Sequence, residues 1–142
     1  MELFSVFRKP KPIVDSILGV ITFSDGCWKS SCEIDGKCVE VALDGSKHQL
    51  NEFARAQFVC LLPSMDNLWG SAKKYIIQEL VKHEAPFKAS LSDLVLTCVS
   101  IHKEKSFDDG HLAFWFDLNC DDDGTYYVSF LEGKPNYLHR DS

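Results

Sequence analysis

No window of this 142-residue chain approaches the roughly 18 consecutive apolar residues that a membrane span needs. A secretory signal is also missing: the apolar start, Met1 to Phe7, is followed by Arg8, Lys9 and Lys11, whereas a signal places its basic residues first. The expectation is a cytoplasmic chain whose six cysteines remain thiols. There is no Gly-x-Ser-x-Gly elbow, no Walker loop and no dinucleotide fingerprint. Neither an internal repeat nor a low-complexity tract occurs. Basic residues are scarce at the C-terminal end, where Phe107 to Ser142 holds eight acidic residues against Lys134 and Arg140. That segment carries the whole net charge of −6. Such an end repels nucleic acid and anionic lipid and attracts a basic protein surface.

What is present is a globular composition. Apolar residues make up 45% and aromatics 12%, enough for one core without disulfide staples. Residues 1–12 read as an arm, because Pro10 and Pro12 favour extended backbone; residues 13–142 read as a single domain. Ile17 to Phe23 has strand composition, and Ser24-Asp25-Gly26 signals a turn.

Three cysteines fall close together at Cys27, Cys32 and Cys38. Asp35-Gly36 lies between two alternating runs and predicts a two-residue hairpin of type I′, which needs positive φ at both central positions. That register sets Ile34 against Lys37, Cys32 against Val39, Ser30 against Val41 and Trp28 against Leu43. Cys32 then points away from Cys27 and Cys38. Three thiolates so arranged cannot converge on one ion at about 2.3 Å, so the cluster is a piece of sheet and no metal is expected.

Asp44-Gly45-Ser46 closes that sheet segment. Leu50, Phe53, Ala54, Phe58 and Leu61 follow at helical spacing. Pro63 stops this helix, and Ser64 caps a second one with Met65, Leu68, Trp69, Ala72, Ile76 and Leu80 as its buried stripe. The short connection predicts an antiparallel helix pair. Strands resume at Leu94 to His102 and, after an Asp108-Asp109-Gly110 turn, at His111 to Leu118. Asp122-Asp123-Gly124 suits a three-residue hairpin loop with Gly124 left-handed, which pairs Phe116 with Phe130, Leu118 with Val128 and Cys120 with Tyr126. Asn136 to His139 adds a short last strand. The fold class is α+β: an antiparallel sheet of about six strands with two central helices on one face, in the order βββ-αα-βββ.

Chemistry-bearing patterns are thin. Asp117 to Gly124 has oxygen ligands at calcium-loop positions one, three and five, but Asp122 stands where the turn glycine belongs and Val128 where the bidentate Glu belongs. Ser71 and Lys74 have the Ser-x-x-Lys spacing without its partner motifs. Cys98 and His102 share a strand face and His111 begins the next strand. These three are the residues a metal- or thiol-dependent enzyme would use, although structural zinc sites take a fourth ligand and a nucleophilic thiol needs a lowered pKa. Trp28 and Trp69 lie on core stripes. Trp115 lies on the opposite strand face with Asp117, and Tyr127 lies near it across the hairpin. An aromatic pair rimmed by Asp121, Asp122 and Asp123 has the composition of a protein-binding hot spot.

Residues 17–135 resemble small bacterial α+β domains of unknown function. The resemblance is carried by the Trp28 hairpin with its Asp35-Gly36-Lys37 turn, the central helices, and the Phe116-Asp117, acidic turn, Val128-x-Phe130-x-x-Gly133-Lys134 strand pair. It implies no catalytic residue and no cofactor. Some such domains resemble immunity proteins, which neutralise toxins by binding them. The resemblance thus implies a non-enzymatic module whose partner is a protein, a basic toxin for instance, met through Trp115, Asp117, Tyr127 and Asp121 to Asp123.

Overall fold

The structure is a computed structural model and describes the backbone of residues 10–106 and 110–141, with the side chains of 103–106 and 110 set aside. The strands of residues 13–50 are β1 (Ile13–Asp15), β2 (Gly19–Ser24), β3 (Cys27–Ile34), β4 (Lys37–Leu43), β5 (Gly45–Ser46) and β6 (Gln49–Leu50). The helices α1 (Glu52–Leu61) and α2 (Met65–Lys82) follow, then β7 (Leu94–Ser106), β8 (Gly110–Leu118), β9 (Asp121–Leu131) and β10 (Lys134–Asp141). Most of residues 1–12 lie outside the described set, as does most of the Asp108-Asp109-Gly110 turn.

Asp35 and Gly36 adopt φ of 51° and 77°, and the ladder they set is the expected one, Ile34 to Lys37 through Trp28 to Leu43. Asp25-Gly26 and Glu132-Gly133 repeat this doubly positive geometry. Each half of the sheet is thus an antiparallel meander, β1 to β4 and β7 to β10. One parallel pair, β4 with β7, joins them into a single eight-stranded sheet. A parallel neighbour requires a crossover, and residues 52–82 supply it.

The expectation of about six strands in the order βββ-αα-βββ is corrected: four strands of the large sheet precede the helices and four follow them. Residues read as loop also pair, since Gly45-Ser46 forms a two-residue ladder with Gln49-Leu50. Gly45 has no room for a side chain there; a Cβ would lie 2.6 Å from the Gln49 carbonyl oxygen and 2.7 Å from Trp28 Cδ1. The helices are not an antiparallel pair either. A 3₁₀ turn over Leu62–Ser64 carries α1 straight into α2, because Pro63 sits at the start of that turn, where a missing N–H costs little. Ser64 makes no capping hydrogen bond.

One core forms between sheet and helices. Trp28 is 1% exposed and Trp69 4%. Of the expected α2 stripe Met65, Trp69, Ala72 and Ile76 are buried, and Leu68 and Leu80 pack against the core partly buried. On α1 only Ala54 and Phe58 are buried, and Phe53 stays exposed.

The second hairpin departs from expectation. Its turn is Asn119-Cys120, β9 begins at Asp121, and Phe116 faces Tyr126 rather than Phe130. Asp122, Asp123 and Gly124 have no partner in β8 and bulge from the ladder. Gly124 has no positive φ. The pairing beyond the bulge differs by an even number of residues, so Phe114, Phe116, Tyr126, Val128 and Phe130 keep the core face that the alternation assigned to them, while the bulge moves Asp121 to that face as well.

Candidate functional site

The residues singled out for binding do not share one surface. Trp115 and Tyr127 are direct cross-strand partners, with ring centroids 4.8 Å apart. Tyr127 in turn lies 5.0 Å from the His139 ring. This row runs along the sheet face opposite the helices, because Phe114, Phe116, Tyr126 and Val128 take the core face and side chains alternate. Trp115 is half-buried and Tyr127 is buried, so the pair offers less area than two exposed rings would. Asp117 is exposed, as are Asp122 and Asp123 in the bulge.

Asp121 turns to the helix side. Its carboxylate accepts from Arg140 Nε at 2.8 Å and Nη2 at 3.2 Å, and from the Tyr126 hydroxyl. These donors hold Asp121 down at about 2, with Arg140 the larger cause. Burial first, and then the same bond, pushes Tyr126 up to about 12. Gly124 makes room for this cluster, since a Cβ there would lie 2.7 Å from Arg140 Nε. Sequence reasoning missed Arg140. The only signal was an arginine near the end of an alternating last strand, which does not say what it faces.

Asp121 and Arg140 border a largely apolar cleft of about 510 Å³ between the end of α2, the segment 83–87 and strands β9 and β10. Leu80, Pro86, Phe87, Tyr126 and Leu138 supply its apolar walls. Asp121 also lines a polar hollow of about 360 Å³ with Asp117, Asp122 and Asp123. Cleft and acidic hollow therefore meet at one residue.

The enzyme candidates do not converge. Cys98 is half-buried, and burial first, then the Glu40 charge, pushes its thiol up to about 11, the reverse of activation. The His111 Nε2 lies 3.1 Å from Gln57 Oε1 on α1, away from the Cys98 row. His102 meets other partners: Ser100 Oγ is 3.3 Å from Nε2 and Asp44 Oδ2 is 3.5 Å from Nδ1. The parallel pairing of β4 with β7 brings Asp44 there, through its N–H donating to the Ile101 carbonyl at 3.1 Å. Burial holds His102 below the usual histidine range although Asp44 opposes the shift. Asp, His and Ser stand in triad order, but Ser100 is 8% exposed and already accepts the Trp115 indole N–H at 3.0 Å. The geometry ties Trp115 down and leaves Ser100 buried beneath its indole N–H.

All six cysteines are free thiols, and Cys27, Cys32 and Cys38 lie on the faces expected of them. Among the described residues no group of three or more His, Cys, Asp or Glu could hold a metal ion, and no helix is long and apolar enough to cross a membrane. Set against protein-family models, curated proteins and solved structures, the chain has no match.

Proposed function

We propose that the protein is a non-enzymatic protein-binding module, of the kind an immunity protein is, and that its contact surface is the end of the sheet where the acidic bulge meets the apolar cleft. The observation that carries this reading is the position of Asp121, which borders both the apolar cleft and the polar hollow. Specific interfaces combine a desolvated apolar centre with a polar rim, and opposite charge on the partner speeds the encounter. The segregated negative charge of residues 107–142 gives the sign: the partner is basic. A high-pKa Cys98 and a His111 turned to α1 weigh against the thiol- or metal-enzyme alternative.

The test is complex formation with the product of the adjacent gene, followed by stopped-flow mixing and calorimetry. A basic partner should bind with an association rate that falls as salt rises from 50 to 300 mM. Replacing Asp117, Asp122 and Asp123 together by Asn should slow association about tenfold and change dissociation less. A neighbouring product that forms no complex, or a complex indifferent to both salt and these substitutions, would sink the reading.

A further inference from the structure

The walls of the apolar cleft define what fits it. Arg140 is unusual among them, because its charge is already met. Two of its nitrogens hold Asp121, and its guanidinium carbon lies 6.0 Å from the centre of the Tyr126 ring. Gly124 beneath keeps this arrangement close. Yet the Arg140 side chain remains 42% exposed and lines the cleft. A fixed, planar, weakly hydrated cation of this kind is a stacking platform for an aromatic ring more than a receptor for an anion. Leu80, Phe87 and Leu138 supply the apolar enclosure such a ring needs, and 510 Å³ is ample for an indole or a phenol. Glu79, also in the lining, lies 4.0 Å from Lys82 Nζ and 3.8 Å from His83 Nε2, so its charge is met in part on its own side of the cleft. The exposed Asp122 and Asp123, which line the adjoining hollow with Asp121, give the mouth its negative side and favour basic residues on the incoming chain.

We propose that this cleft is the anchor site of the interface: it takes one aromatic side chain from a basic segment of the partner, stacked on Arg140 and enclosed by Leu80, Phe87 and Leu138. The proposal rests on the protein-binding reading above and adds the chemistry of the residue recognised. An aliphatic side chain fills the same space without the stacking contact and binds less well.

The experiment uses three acetylated, amidated pentapeptides, each with four lysines around a central tryptophan, leucine or alanine. They are titrated into the isotope-labelled full chain, and amide shifts are followed by nuclear magnetic resonance. The tryptophan peptide should give saturable shifts at Leu80, Phe87 and Leu138, the leucine peptide weaker ones, and the alanine peptide none in the cleft. Arg140→Lys, which keeps the charge and removes the flat face, should weaken the tryptophan peptide about two- to fivefold and leave the leucine peptide unchanged. Phe87→Ala, in a segment outside regular structure, should weaken both. Equal binding of all three peptides with shifts confined to residues 121–123 would overturn the anchor and leave the acidic interface standing. Tryptophan binding untouched by Arg140→Lys would remove the stacking role. No shift from any peptide at millimolar concentration would overturn the anchor site, while the protein-binding reading falls only if the neighbouring gene product forms no complex or one indifferent to salt.

Discussion

The two meanders solve one problem, turning a strand back on itself, with different chemistry. In the N-terminal half the Asp35-Gly36 turn is built on positive φ at both positions. It is then pinned to the helix layer, since the Asp35 N–H donates to Asp66 at 2.9 Å and Lys73 reaches the Asp35 carboxylate at 3.1 Å. In the C-terminal half the same dipeptide, Asp123-Gly124, lies inside a strand and bulges outward. Its glycine gives space to an arginine and is not needed for a turn. The halves also share a device: Asp15 holds Arg55 and Asp121 holds Arg140, each through two nitrogens. The first pair ties the edge strand β1 to α1. The second ties β9 to β10 and shapes the cleft. One half is built for anchorage, and the other is shaped at the end where we place binding.

The largest effect should come from the core the halves share. Trp28→Ala in β3 and Phe114→Ala in β8 each remove a ring that is at most 1% exposed, at a cost of about 3–5 kcal/mol. Both should shift one common urea transition, because a single cluster spans both halves. Two separable transitions would show the meanders to be independent units.

Next come the glycines. Gly124→Asn puts atoms into the Asp121–Arg140 pair and should cost about 1–3 kcal/mol. Gly36→Asn should cost a few tenths, because asparagine tolerates the left-handed region. Equal losses in denaturant melts would erase the distinction between the two glycines.

Acid should then weaken both halves. Asp15 is held well below the usual carboxylate range by Arg55 first, and Asp121 at about 2 by Arg140 first. A group with a depressed folded pKa adds stability that is complete above its unfolded value of about 4 and is lost as pH falls through the folded value. Asp15→Asn and Asp121→Asn should each flatten the fall in melting temperature between pH 4 and 2. An unchanged slope would remove that carboxylate from the account.

The smallest effect is one of rate. Cys38, Cys60 and Cys120 are exposed, while burial raises Cys32 and Cys98 to about 11. Iodoacetamide at pH 7.5 should label these three exposed thiols before Cys32 and Cys98, as read by mass spectrometry. A fast-reacting Cys98 would revive the thiol-enzyme reading.

Much of the fold was legible in local pattern. Period-two alternation assigned the faces of β3 and β4 and of the paired middles of β8 and β9 correctly, even where the register was wrong, because an even slip preserves face; it failed at Asp121, where a bulge breaks the alternation, and at His111, which meets Gln57 on α1. The 3.6-residue spacing found the buried stripe of α2. The second turn was not legible, because an aspartate run ending in glycine suits a loop locally. Only the pairing of Phe116 with Tyr126 and the packing of Arg140 over Gly124 decide against that loop. Ser100 was overlooked between Cys98 and His102 on the same strand face, and Asp44 lies just past the end of β4, more than fifty residues earlier in the sequence.

By itself the sequence determined the α+β class, the first hairpin and the acidic end, since each depends on nearest neighbours along the chain or on simple charge. Tertiary structure alone decided the parallel seam between β4 and β7 and the meeting of Asp121, Tyr126 and Arg140 beside a cleft. Those contacts join residues far apart in sequence. They are selected by which faces can be buried together, and no local preference encodes that.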